Sequence, residues 1–216
     1  MNPCFFLNLL PAFSWVPKNP RGWIFFLLLI FTVPAWVGPA EPQVWSLDSF
    51  AAGTPAGKEG VPEGWSLEGR PEAQSKILLS TEERGYLALV GHGDSFGLKK
   101  ELAFDLRDFP FLSWQWRVVH HPRGGDIRQK AKDDQAGQIY VIFGRFPLFL
   151  HYRALGYIWD PAAPVGFSGT SRTYSRMKYQ VIRSGAGGLG QWMEESHDVQ
   201  TDFRKLFQEE PPPVAG

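Results

Sequence analysis

From Glu41 onward the chain is broken at short intervals by glycine and proline, and this punctuation constrains the fold more than any other feature. The apolar runs between the breaks are too short for ordinary helices. They are also rich in Val, Ile, Phe, Tyr and Trp, the side chains that suit a pleated, half-buried surface. Short strands separated by frequent turns predict a sandwich or a barrel.

The clearest strand is Phe111-Leu112-Ser113-Trp114-Gln115-Trp116-Arg117-Val118. Successive strand side chains point to opposite faces, so Leu112, Trp114, Trp116 and Val118 share one face and Ser113, Gln115 and Arg117 the other. Residues 137–143 are apolar or aromatic on both faces, which predicts a central strand covered on two sides. Further strands are expected at 65–69, 76–79, 85–90, 155–159 and 179–183. A short first strand near Trp45 and Leu47 should lead into a long loop. Residues 191–207 read as helical, on the spacing of Val199, Phe203, Leu206 and Phe207, and Pro211-Pro212-Pro213 cannot continue a helix. The expected fold is mainly β: a single antiparallel β-sandwich, jelly-roll-like, with one short C-terminal helix.

The N-terminus has a different character. Residues 23–33 are almost wholly apolar, follow Lys18 and Arg21, and precede Pro34, Gly38 and Ala40. A charged lead-in, an apolar run and small residues at its exit describe a secretory signal. The run falls short of the roughly 20 residues a membrane-spanning helix needs. Cleavage after Ala40 is the favoured reading and an uncleaved anchor the alternative, which divides the chain into a leader, 1–40, and a β-sandwich domain, 41–216. Residues 1–19 are unusual for a signal, because they carry their own apolar patch around Phe5 and Leu10. The expected location is outside the cytoplasm, periplasmic or extracellular, with membrane contact only through an uncleaved leader.

Cys4 is the only cysteine, so a chain beginning at Glu41 has neither disulfides nor thiol chemistry. Removing residues 1–40 takes Lys18 and Arg21 and no acid, leaving 20 basic side chains against 22 acidic. That balance carries no electrostatic footprint for nucleic acid.

Candidate chemistry concentrates in one loop and three tryptophans. The loop runs from Pro122 to Gln135 and carries Asp126, Asp133 and Asp134 among Arg123, Arg128, Lys130 and Lys132. Carboxylates in a loop suit calcium, but interleaved cations argue for a solvated, self-paired loop and no metal. Asp133 and Asp134 with Glu194 or Glu195 could form the carboxylate pair of a glycosidase, although adjacent residues of a strand point to opposite faces. Trp114, Trp116 and Trp159 could be flat platforms for sugar rings; the alternation places Trp114 and Trp116 in the core instead, while Trp159, followed by Asp160 and a Pro/Gly-rich loop, stays open between the two. None of His92, His120, His121, His151 and His197 has metal-ligand spacing, and no serine stands in a nucleophile elbow. The glycine run from Gly185 to Gly190 lacks the lysine and the βαβ setting of a phosphate loop and reads as a turn. No cofactor is predicted.

An ordered series of motifs resembles the bacterial family catalogued as domain of unknown function 3047. It comprises Ser95-Phe96-Gly97-Leu98, Phe109-Pro110-Phe111-Leu112-Ser113-Trp114-Gln115-Trp116, Gly124-Gly125-Asp126, Asp133-Asp134-Gln135-Ala136, Ile139-Tyr140-Val141-Ile142-Phe143, Tyr157-Ile158-Trp159, Asp202-Phe203-Arg204-Lys205-Leu206-Phe207 and Glu209-Glu210-Pro211-Pro212. The resemblance implies an exported bacterial β-sandwich with no activity to carry over. It also implies a further apolar strand and an acidic loop beyond Glu209-Glu210-Pro211-Pro212, so that the domain as given is truncated by a strand. Two functions are expected. The first is a noncatalytic ligand-binding sandwich of the envelope, with a glycan as the partner considered; the alternative is a hydrolase of an envelope polysaccharide working through paired carboxylates. The candidate ligand or acid site is Asp126, Asp133, Asp134, Trp159 and Asp160.

Overall fold

The structure, a computed structural model, describes residues 4–8, 44–50, 57, 60–71, 75–80, 85–144 and 152–216. The apolar run 23–33, the cleavage point after Ala40 and His151 lie outside the described residues. The fold is mainly β, with several sheets, none closed, and one helix near the C-terminus.

The elements in chain order are β1 (Cys4–Asn8), β2 (Trp65–Gly69), β3 (Lys76–Leu79), β4 (Leu87–Val90), β5 (Phe96–Lys100) and β6 (Phe111–His120). There follow β7 (Gly137–Phe143), β8 (Arg153–Asp160), β9 (Ser168–Thr170), β10 (Met177–Ser184), β11 (Met193–Asp198) and the helix α1 (Val199–Phe207). One sheet has the order β11-β6-β1-β4-β3, a second the order β7-β8-β10-β9, and β2 and β5 form a two-stranded ribbon.

The strand β6 is built as its alternation dictates. Leu112, Trp114, Trp116 and Val118 are buried on one face and meet the second sheet across a shared core. Trp114 lies 5.4 Å from Tyr157 and Trp116 lies 5.9 Å from Trp159, ring centre to ring centre, so aromatic pairs clamp the two sheets together. On the far face of the second sheet a smaller cluster, Ile127, Ile158, Ala163, Tyr179 and Val181, is covered by loops. Tyr140 reaches into this cluster across Gly156, where an added Cβ would stand 2.4 Å from the tyrosine ring.

Several expectations are revised. The strand at 137–143 is not central: it is β7, the outermost strand of its sheet, while β8 lies inside. Apolar residues on both faces report coverage above and below and say nothing about the lateral neighbour. The pairing is not wholly antiparallel, because β8 and β10 run parallel, joined by a crossover that carries β9. Residues 193–198, expected to be helical, form β11 against β6; α1 begins at Val199, where the Asp198 carboxylate accepts from the Thr201 N–H at 2.9 Å. The segment 44–50 carries no strand. Instead Asp48 accepts from Trp65 Nε1 at 2.8 Å and pairs with Lys100 at 3.3 Å, fastening the segment to the β2–β5 ribbon. Cys4–Asn8, counted with the leader, is a strand paired with β4 on one side and β6 on the other.

A last feature positions the site. Val214, buried against the core, bridges Phe104 and Phe143, so the residues after α1 return between the stretch that follows β5 and the free edge of β7.

Candidate functional site: a cleft between β5 and β7

A cleft of about 1090 Å³ opens between the β2–β5 ribbon and β7. Its floor is apolar and belongs to the core, with Leu87, Leu112 and Val141 buried and Leu98 packed against them. Trp65, Phe96, Tyr140 and Tyr152 contribute aromatic surface to its walls. Its rim is ionic: Glu68, Lys99, Asp133 and Asp134. An apolar interior with a few convergent polar groups is the usual form of a binding site.

The acids at the start of β7 are held close to one another. Gln135 donates to Asp133 at 3.3 Å and Gln138 donates to the Gln135 carbonyl at 3.2 Å. The Tyr140 hydroxyl donates to Gln138 Oε1 at 2.9 Å. Partial burial, then the charge of Asp133, pushes the Asp134 carboxyl above its ordinary value. The Tyr140 hydroxyl is pushed up as well, chiefly by burial and secondarily by Asp133.

The other predicted site residues are placed elsewhere and serve the scaffold. The buried carboxylate of Asp126 accepts from Arg128 Nε at 2.8 Å and from Gln129 Nε2 at 2.8 Å. The guanidinium beside it holds this carboxyl well below the ordinary range. Gly125 is required next to it, since a Cβ there would stand 2.2 Å from the Asp134 carbonyl oxygen. Asp160 is fully buried and accepts from the N–H groups of Ile127, Ala162 and Ala163 at 2.9, 2.8 and 2.6 Å, pinning one loop to another. Trp159 has no exposed surface, and its Nε1 donates to the Gly185 carbonyl at 3.1 Å, which removes it as a platform. Trp114 and Trp116 are likewise fully enclosed. The loop 122–135 is therefore mixed: Asp133 and Asp134 are exposed, whereas Asp126, Ile127 and Gln135 are buried. Among the described residues no group of His, Cys, Asp and Glu is arranged to hold a metal ion.

A second polar cluster was missed in the sequence. His197 stands with Nδ1 3.7 Å from Asp202 and Nε2 3.9 Å from Glu195, distances beyond hydrogen-bond length at which the attraction is Coulombic. Glu195 accepts from Trp116 Nε1 at 2.9 Å and pairs with Arg183; Asp202 accepts from the Tyr157 hydroxyl at 3.1 Å and from Gln180 at 2.9 Å. Burial alone would lower the imidazole's pKa, but Asp202 and then Glu195 outweigh it and raise it to about 9. The ring is thus a cation at neutral pH and no general base; the cluster seams β10 and β11 across the open side of the sandwich. Glu195 and His197 alternate along β11 and so share a face. That signal is present in Glu194-Glu195-Ser196-His197, but the helical periodicity that follows masked it.

The acids considered for a glycosidase come from two sheets. Glu194 lies on β11, accepting from Gln115 at 3.2 Å, whereas Asp133 and Asp134 precede β7 in the other sheet. No curated protein and no solved structure matches the chain. A family model described as "Protein of unknown function (DUF3047)" matches residues 63–216, a span that holds β2 to β11, α1 and almost every wall of the cleft, and the chain belongs to that family.

Proposed function

We propose that the domain is a noncatalytic binding module that holds an elongated ligand in the cleft between β5 and β7. The observation that carries this reading is the cleft itself, about 1090 Å³ in volume, with an apolar floor continuous with the core and a charged rim. Hydrolysis finds less support, since Asp126 is consumed by Arg128 and Glu194 lies on the other sheet. The glycan version keeps support only from the cleft's own aromatics, Trp65, Phe96, Tyr140 and Tyr152, because the three tryptophans that suggested it are enclosed. The leader pattern at 23–33 supports a site of action outside the cytoplasm.

The reading is tested by obstruction. Gly97 lines the cleft and has open space where a Cβ would stand. Gly97→Trp should set an indole at the mouth of the cleft, on the strand face it shares with Glu68 and Lys99, and weaken binding of cleft ligands, found by titrating the full chain with panels of oligosaccharides and peptides, at unchanged melting temperature. Binding undiminished in Gly97→Trp places the site elsewhere and refutes the proposal.

A further inference from the structure

We infer that the outer face of the β11-β6-β1-β4-β3 sheet carries a second binding site, a row of polar and aromatic side chains along β6 and β11 that takes a neutral, extended glycan. The row lies on the opposite side of β6 from the cleft. Leu112 lines the cleft, whereas Ser113, Gln115 and Arg117 alternate outward. The inference goes beyond the cleft reading and draws on aromatic rings that the cleft does not contain.

The register between β6 and β11 sets the outward residues opposite one another. Ser113 pairs with Ser196 and Gln115 with Glu194, and one step further the Trp192 ring lies over Arg117. The Ser113 hydroxyl donates to Ser196 at 2.9 Å, and Gln115 Nε2 donates to Glu194 at 3.2 Å. From Ser113 to Arg117 the row is about 13 Å long, the reach of a short oligosaccharide. Hydroxyls, a carboxamide and a carboxylate supply both donors and acceptors along it. Arg117 and Glu194 offset one another, so the row selects neither a polyanion nor a polycation. The face is open at both margins, where Glu194 and Ser196 on β11 and Leu78 on β3 are exposed.

Two features exceed what a merely solvated sheet face requires. One is Gln115, which is 9% exposed although it points away from the core. Its amide nitrogen is fixed on Glu194, and among the described residues its Oε1 has no hydrogen-bond partner. Leaving a buried acceptor unpaired costs free energy that an incoming hydroxyl donor recovers.

The other feature is the pair of rings at the end of the row. Trp192 and Tyr86, both half-buried, stand 5.9 Å apart at 58°, with the Arg117 guanidinium 5.0 Å from the first ring and 5.8 Å from the second. The cation steadies both rings on a face that is otherwise polar. Rings fixed before binding lose little freedom when a flat sugar face stacks on them. A sugar presents apolar C–H faces and a rim of hydroxyls, which match the platform and the unpaired acceptor beside it. Peptide capture by strand addition needs a sheet edge, which the middle of this face does not offer.

The test titrates the full chain by calorimetry with four neutral hexasaccharides, β-1,4-linked glucose, xylose, mannose and N-acetylglucosamine, and follows the Trp192 indole and Gln115 amide by NMR. The expected result is saturable binding of at least one of them below about 10 mM, with shifts at both side chains. Trp192→Ala should weaken it about tenfold or more, while Trp192→Tyr keeps it within about threefold of the wild type. Glu194→Gln, at an exposed position that leaves the melting temperature unchanged, should weaken it by about threefold or more, and decides the matter if Trp192→Ala fails to fold. Gly97→Trp should leave it unaltered. No saturation by any of the four overturns the inference and leaves the cleft reading intact. Binding that is weakened by Gly97→Trp and indifferent to Glu194→Gln moves the glycan to the cleft and overturns the second site. Tighter binding of a polygalacturonate hexamer than of every neutral probe overturns the neutral class.

Discussion

Raising the pH from 6.5 to 9 should weaken the fold through His197. Its ring stacks against Trp114 at 5.5 Å and Tyr157 at 4.6 Å, with Asp202 and Glu195 at its two nitrogens. The folded-state pKa, about 9, lies above the ordinary value of 6.5, so the native state binds the proton more tightly than the unfolded chain. The stabilisation is complete below pH 6.5 and is lost as pH rises through 9. Linkage sets an upper limit of about 3 kcal/mol for such a displacement. The side chain retains 21% of its surface in solvent, and screening there reduces the expected loss to about 1–2 kcal/mol. Urea unfolding at half-unit steps from pH 6.5 to 9 checks this, with His197→Asn as the reference that lacks the titrating group. The wild-type curve should fall toward the variant's as pH rises. Parallel curves, or an imidazole that titrates below 6.5 in NMR, would refute the argument that the two carboxylates dominate burial. His121, whose pKa burial lowers, acts at the other end: it destabilises the fold as pH falls below 6.5 and leaves the alkaline window untouched.

Trp116→Ala should cost roughly 3–5 kcal/mol in unfolding free energy, since a fully buried indole between Trp114 and Trp159 is lost. Trp116→Phe, which keeps a ring but removes the donor to Glu195, should cost roughly 1–3 kcal/mol; equal losses in the two variants would show that the hydrogen bond and not the volume matters. Asp160→Ala orphans three backbone N–H groups and should cost roughly 2–4 kcal/mol, read from denaturant midpoints, while Asp133→Asn should stay within about 0.5 kcal/mol of the wild type because its carboxylate is exposed. Deleting residues 1–40 should accelerate hydrogen exchange in Leu87–Val90 and in the half of β6 that pairs with Cys4–Asn8; unchanged exchange would show that β1 does not hold this place.

The parts of the fold legible in the sequence are those where one strand face is dry. Leu112, Trp114, Trp116 and Val118 announce β6 because burial and alternation coincide. Met193–Asp198 escaped because its inward residues, Glu195 and His197, are polar and satisfied by partners on β6, β10 and α1, so the period-two signal carries no hydrophobicity. Phe96–Lys100 escaped for a related reason: its residues are half-buried on both faces, which leaves no contrast to read.

Local chemistry along the chain determined that short β-strands would form, that a helix would end near Phe207, and that Trp114 and Trp116 would be core, because side-chain alternation and helical spacing are properties of neighbouring residues. Tertiary structure alone decided that Asp126 and Asp160 are scaffold, that Asp133 and Asp134 stand at a cleft, and that β7 is an edge. Those outcomes depend on which segments meet across long separations, such as Ile127 with Asp160 or Ile142 with Gly216. A carboxylate's role is set by the donors that reach it, and no pattern of nearby residues encodes a donor that arrives from another strand.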